Sequence, residues 1–140
     1  THTPYVAPTA ISLHDINVAN IKLCSTVDFA GNVCETALTV FPKGTDTIYA
    51  TWQMDLALIQ QMTFTRRWYQ EGRLILESSN SAGENARWTP SDGRSYYVYL
   101  STTEGSGKRI FNASSFPSGN YSFELIIDGN SAGVVDLVIK

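Results

Sequence analysis

The chain has 140 residues, the length of one domain with a single hydrophobic core. Only 16% of its residues are charged, and 10 basic against 13 acidic residues leave a net charge of −3. This balance provides no basic face for nucleic acid or anionic lipid, so we expect no nucleic-acid partner. No apolar run reaches the roughly 18 residues of a membrane-spanning helix, and we therefore expect no membrane span.

Residues 1–18 form a Pro- and Thr-rich segment, which we call the N-terminal arm, and residues 19–140 follow as the main domain. The chain begins Thr-His-Thr-Pro, without an initiator Met or a leader, so we expect a processed or excised mature segment. The arm contains an apolar strand pattern, whose residues are Ile11, Leu13, Ile16 and Val18. Such a strand can pair as an edge strand of its own sheet or add to the sheet edge of a neighbouring molecule.

Two cysteines, Cys24 and Cys34, flank the turn-forming residues Asp28, Gly31 and Asn32. If the flanking segments pair as a hairpin, the two cysteines can form a disulfide, which would stabilise the fold by about 3 kcal/mol. The alternative is a pair of buried free thiols. A disulfide indicates an oxidising compartment, so we expect an extracellular or cell-surface location.

Alternation of apolar and polar residues in short runs, separated by turn residues, predicts an all-β domain. Residues 120–140 predict a hairpin that turns at Asp128-Gly129. Residues 63–75 read as a strand and a turn with Trp68 facing the core, and the neighbouring Arg66 and Arg67 then point to opposite faces. The predicted core includes Trp52, Trp68, Tyr121, Phe123 and Leu125.

Two segments give weaker patterns. Residues 54–62 are compatible with a short helical turn or a connecting loop, and residues 78–93 with a long polar loop that carries Trp88. We count seven or eight strands, which predicts an antiparallel β-sandwich with Greek-key connections and an extended N-terminal strand.

From about residue 20 onward, the chain resembles the immunoglobulin-like β-sandwich modules of bacterial secreted proteins. The resemblance rests on "FPKGTDTIYATW", "RRWYQEGRLI" and "FPSGNYSFELIIDGN". Modules of this kind occur as appendages of extracellular peptidases and as units of surface and wall proteins. The resemblance implies that the Tyr121 hydroxyl bonds back to the backbone at the entry to its strand.

Catalytic chemistry has little support in the sequence. Its two histidines, His2 and His14, both lie in the N-terminal arm, and no nucleophile-elbow sequence is present. The carboxylates are scattered and fit turns and solvated strand faces better than a glycosidase pair. We therefore expect no enzyme activity, no cofactor and no metal site.

Carbohydrate binding is a more serious alternative, because 11% of the residues are aromatic. Trp88, Tyr97 and Tyr99 form the candidate ligand platform, although tyrosines on a solvated sheet face are also ordinary cross-strand pairs.

The sequence therefore predicts a non-enzymatic extracellular structural or interaction domain. Its partners would be other copies of itself or another surface protein, and a carbohydrate is a further candidate. We expect a subunit that assembles into a surface filament or layer by inserting its N-terminal strand into the next subunit. The alternative is an accessory module of a larger secreted peptidase or hydrolase that binds wall glycan or protein.

Overall fold

A computed structural model describes residues 18–54, 63–81 and 95–140 of the chain. This part of the chain contains ten strands and one helix. In chain order they are β1 (Val18–Cys24), β2 (Val27–Asp28), β3 (Val33–Cys34), β4 (Val40–Phe41), β5 (Thr47–Met54), β6 (Thr63–Gln70), β7 (Arg73–Ser81), β8 (Ser95–Ser101), α1 (Gly105–Phe111), β9 (Gly119–Ile127) and β10 (Asn130–Ile139).

The strands form two packed sheets and a small ribbon. One sheet has three strands in the order β1-β5-β8, and the other has five in the order β4-β10-β9-β6-β7. The strands β2 and β3 pair with each other alone. All pairs are antiparallel except that of β4 with β10, which spans two residues. The prediction of an all-β sandwich is confirmed.

The core lies between the two sheets and is rich in aromatic rings. On β5 the alternation turns Trp52 inward, where its ring stacks on Phe123 of the other sheet at 6.2 Å between centroids. Phe123 also contacts Trp68 of the neighbouring β6 at 4.8 Å. The structure buries all five residues of the predicted core, which are Trp52, Trp68, Tyr121, Phe123 and Leu125.

The hairpin predicted over residues 120–140 is confirmed, and it is formed by β9 and β10. Ile127 and Asn130 face each other across the turn. Between them, Asp128 and Gly129 adopt φ values of 48° and 83°. Two consecutive positive φ values give the turn the twist that a two-residue hairpin requires, which explains the Asp-Gly pair.

The strands β6 and β7 agree with the sequence interpretation in the opposite orientation of their two arginines and differ from it in the length of β7. Arg66 is buried on the inner face of β6, whereas Arg67 lies on the outer face and forms an ion pair with Glu77. The strand β7 continues to Ser81, so residues 78–81 are strand and not the start of a loop. The extension follows from its pairing with β6, to which a hydrogen bond of 2.8 Å between Thr65 and Ser79 contributes.

The helix α1 was not predicted, because its sequence GSGKRIF contains two glycines and no helical apolar period. It forms because it packs closely on β8: a Cβ atom at Gly107 would lie 1.9 Å from the Ser101 carbonyl oxygen. At its end Asn112 takes the left-handed conformation and closes the helix through its own N–H, which bonds to the Lys108 carbonyl.

The chain then enters β9 through Tyr121, whose hydroxyl donates a hydrogen bond of 2.7 Å to the Pro117 carbonyl oxygen. The same hydroxyl accepts a bond of 3.3 Å from the Gln70 amide. These bonds tie the loop before β9 to the sheet, as the sequence resemblance implied for Tyr121.

We expect the substitution Tyr121→Phe to lower the free energy of unfolding by about 0.5–1.5 kcal/mol, because it removes the hydrogen bonds that join the Tyr121 hydroxyl to Pro117 and Gln70. Urea denaturation followed by tryptophan fluorescence measures the change. The control is Tyr99→Phe, at a side chain 47% exposed, which should change stability by less than about 0.5 kcal/mol. Equal effects of the two substitutions would contradict the structural role of the Tyr121 hydroxyl.

Candidate functional site

The disulfide predicted from the sequence is present and fastens a small hairpin onto the three-stranded sheet. Cys24 at the end of β1 is bonded to Cys34 in β3, with the two Cα atoms 5.7 Å apart. Cys24 is in register with Tyr49 of β5, which places the disulfide on the outer face of this sheet. The hairpin formed by β2 and β3 therefore covers part of that face.

Short-range hydrogen bonds fix the shape of this hairpin. The Asp28 carboxylate accepts a bond of 3.0 Å from the Ala30 N–H, and Gly31 donates to the Asp28 carbonyl at 3.2 Å. Asn32 is buried with φ of 53°, and its side-chain amide donates to the Ser95 carbonyl at 3.3 Å. The tip of the hairpin is thereby attached to the start of β8 as well as to β1.

The hairpin brings Phe29 onto two tyrosines of the sheet, and a third tyrosine lies next to them. Phe29 is 56% exposed, and its ring lies 6.0 Å from Tyr49 and 5.2 Å from Tyr97, edge to face in both cases. Tyr49 in turn lies 5.9 Å from Tyr99, which faces it across β5 and β8. We call these four residues the aromatic patch.

Oxygen atoms border a depression of about 220 Å³ in the aromatic patch. Its described lining is the four rings together with Thr47, Ser101 and Glu104. The Glu104 carboxylate lies 3.5 Å from the Tyr99 hydroxyl, which donates to it. The site thus combines exposed aromatic surface with hydrogen-bond acceptors and a carboxylate.

The electrostatics of the patch disfavour negative charge. The pKa of Tyr49 is raised above its ordinary value of 10.0, chiefly because the ring is partly removed from water. The neighbouring Tyr97, Tyr99 and Glu104 raise this pKa further, because a second negative charge close to them is unfavourable. Tyr49 consequently stays a neutral hydrogen-bonding group at physiological pH.

A second surface lies on the five-stranded sheet, along β10. The short β4 pairs only with Val138 and Ile139 of this strand. The N–H groups of alternate residues in a strand point to the same side. Counting back from Val138, the N–H groups of Val134 and Asp136 therefore point to the side on which β4 lies. Among the residues 18–54, 63–81 and 95–140, no strand pairs with them there. We call the β4 side of residues 130–137 the open edge.

Exposed valines flank the open edge. They are Val40, Val134 and Val138, which are 46%, 55% and 39% exposed. The strand β1 runs alongside: a Cβ atom at Gly133 would lie 2.8 Å from the Ile21 side chain.

The structure places the predicted site residues as follows. Tyr97 and Tyr99 lie together in the aromatic patch, and Cys24 and Cys34 hold the hairpin beside it. Val18 is the first residue of β1 and pairs with Met54 of its own sheet, so the predicted boundary between residues 18 and 19 falls inside this strand. Ile11, Leu13, Ile16, Trp88 and both histidines lie outside the described residues.

The sequence interpretation missed Phe29, Tyr49 and Glu104. The alternation of β5 does place Tyr49 on the face opposite Trp52, but the register that sets it against Tyr99 comes from pairing between distant segments. Phe29 reaches the patch through a hairpin that the disulfide and the bond from Asn32 to Ser95 attach to the sheet. The sequence feature that could have indicated Phe29 as a site residue is its position in a turn between two cysteines.

No group of three or more His, Cys, Asp or Glu side chains among the described residues is arranged to hold a metal ion. No described helix has the length and apolar content that crossing a membrane requires. The disulfide is typical of proteins that mature in an oxidising compartment.

A scan against models of known protein families and a search of curated proteins found no match to this chain.

We expect the stability of the fold to decrease as pH rises through about 10, partly because of Tyr49. The folded-state pKa of Tyr49 lies above the unfolded value of 10.0, so the unfolded chain loses this proton first. The contribution of Tyr49 to the free energy of unfolding is therefore complete below about pH 10 and is lost as the pH rises further. In urea denaturation between pH 8 and 11, Tyr49→Phe should show a shallower loss of stability than the wild type. Parallel curves would contradict this role of Tyr49.

Proposed function

We propose that this protein is a non-enzymatic extracellular interaction domain that assembles with copies of itself by strand exchange. In this assembly, residues of the N-terminal arm before Val18 pair with the open edge of the next subunit. The contact joins two different surfaces, so it can propagate head to tail as a filament or layer.

The observation that carries the proposal is the open edge itself. A strand edge with available backbone N–H and C=O groups is a template for pairing with another chain. Here that edge is flanked by exposed Val134 and Val138, and β4 leaves most of it without a partner among the described residues. An added strand would continue the sheet beyond β4.

The N-terminal arm has the sequence that such a strand needs. Ile11 and Leu13 are two residues apart and fall on one face of a strand, and Ile16 follows after a break. Residues 1–17 reach about 55 Å when extended, several times the spacing between neighbouring strands. The arm is therefore long enough to pair with another subunit.

The fold and the disulfide support the wider assignment. The hydrogen bond from Tyr121 to Pro117 and the buried Trp68 are features of immunoglobulin-like sandwiches. The disulfide favours a secreted or cell-surface protein. We accordingly propose an immunoglobulin-like module of a secreted surface protein.

A second candidate function is ligand binding at the aromatic patch, as in an accessory module of a larger secreted peptidase or hydrolase. Its support is the exposure of Phe29 and Tyr99 beside the depression that Glu104 borders. Aromatic surface held in place by a disulfide is suited to contact with a wall glycan or a protein.

We expect the full chain to form regular fibres or large oligomers, visible by negative-stain electron microscopy and by size-exclusion chromatography. Leu13→Asp removes an apolar contact of the donor strand, and Val134→Lys places a charge at the open edge. Each variant alone should remain monomeric at concentrations where the wild type assembles.

Mixing the two variants provides a sharper test, because each retains the surface that the other lacks. The mixture should form dimers that do not grow further. Leu74→Lys is the matched control, since Leu74 is 46% exposed on β7 at the opposite side of the same sheet. A wild type that stays monomeric at all concentrations, or equal loss of assembly in the control, would overturn strand exchange.

A further inference from the structure

We propose that the aromatic patch binds an organic ammonium cation, in the depression formed by Phe29, Tyr49, Tyr97, Tyr99 and Glu104. The cation can be the end of a quaternary ammonium headgroup or of a lysine side chain. This inference rests on the second candidate function, ligand binding at the patch, and names the chemistry of the ligand. It is independent of strand exchange.

The orientation of the rings favours a cation over the face of a sugar. A sugar ring stacks best on a flat aromatic surface, but the rings of the patch are steeply inclined to one another. Phe29 makes angles of 76° and 71° with Tyr49 and Tyr97. Tyr49 makes angles of 54° and 47° with Tyr97 and Tyr99. Rings at such angles line a concave site, which suits a compact group that contacts several of them.

The charged lining of the depression favours the same ligand. Its described lining includes one carboxylate, that of Glu104, and no basic side chain. Glu104 precedes α1 but makes no side-chain capping bond there, so its carboxylate is directed to the Tyr99 hydroxyl. At the rim, the Thr47 hydroxyl donates to the Asp46 carboxylate at 3.2 Å.

The behaviour of Tyr49 is consistent with this electrostatic character. Burial is the largest cause of the raised pKa of Tyr49, and the negative charge of Glu104 adds to it. By the same Coulomb interaction the Glu104 carboxylate favours a positive charge in the depression. The tyrosine rings contribute further, because the electron-rich face of an aromatic ring attracts cations.

The size of the site limits the ligand to a small group. The depression measures about 220 Å³, whereas sites for drug-sized ligands occupy roughly 300–1,000 Å³. A single alkylammonium end fits this volume, and a whole oligosaccharide does not.

The test is a titration of the full chain with choline, followed by ¹H–¹⁵N NMR. Two further titrants are n-butylammonium, which represents a lysine side chain, and 3,3-dimethyl-1-butanol, which has the shape of choline without the charge. Because the site is shallow and exposed, we expect weak binding with a dissociation constant of about 1 mM. The shifts should be centred on Phe29, Tyr49, Tyr97 and Tyr99, and the neutral alcohol should not produce them.

Substitutions in the patch should weaken the binding by measurable factors. Tyr99→Ala should raise the dissociation constant about tenfold, and Tyr99→Phe, which retains the ring, by less than about threefold. Glu104→Gln should weaken binding about fivefold. Its control, Glu77→Gln, removes an equal charge from the other sheet and should have no effect.

The outcomes separate the ligand class from the function. Stronger binding of choline than of butylammonium indicates a headgroup, and the reverse order indicates a lysine side chain; both support the proposal. If the neutral alcohol binds as well as choline, or if soluble wall oligosaccharides shift the patch and the ammonium compounds do not, the cation is wrong while ligand binding stands. Absence of patch shifts with every titrant would overturn both the cation and ligand binding at the patch.

Discussion

The contact between Trp52 and Phe123 joins the two sheets, and much of the outer surface follows from it. Their rings stack at 6.2 Å between centroids, with Trp68 packed against Phe123 from the adjacent strand. Because neighbouring residues of a strand face opposite sides, an inward Trp52 requires an outward Tyr49. A shift of β5 by one residue would bury Tyr49 and expose Trp52. The packing of Trp52 in the core therefore determines that Tyr49 of the aromatic patch lies on the outer face of the sheet.

The two surfaces lie on different sheets, so their proposed functions are compatible. The open edge belongs to the five-stranded sheet, whereas the aromatic patch lies on the outer face of the three-stranded sheet. Strand exchange along β10 would add a strand to the edge of the five-stranded sheet. The face of the three-stranded sheet that carries Tyr97 and Tyr99 would stay accessible. A filament built in this way would display one patch per subunit.

Local signals in the sequence predicted more of the fold than of the candidate site. The hairpin at Asp128-Gly129 and the disulfide between Cys24 and Cys34 depend on residues close in the chain, so their patterns were sufficient. The helix α1 depends on the close approach of Gly107 to Ser101, and Tyr49 meets Tyr99 through strand pairing over a long separation. Such contacts are set by the packed structure, and no short pattern encodes them.

The hairpin that carries Phe29 is fastened on both sides of residues 28–31, and this attachment bears on how the protein can evolve. The disulfide and the buried Val27 and Asn32 hold it in place. Residues 28–31 between them form the turn and lie outside the hydrophobic core. Substitution of the exposed Phe29 would alter the ring presented to Tyr49 and Tyr97 at little cost to folding. Ligand preference can thus diversify among descendants of this chain while the sandwich beneath stays unchanged.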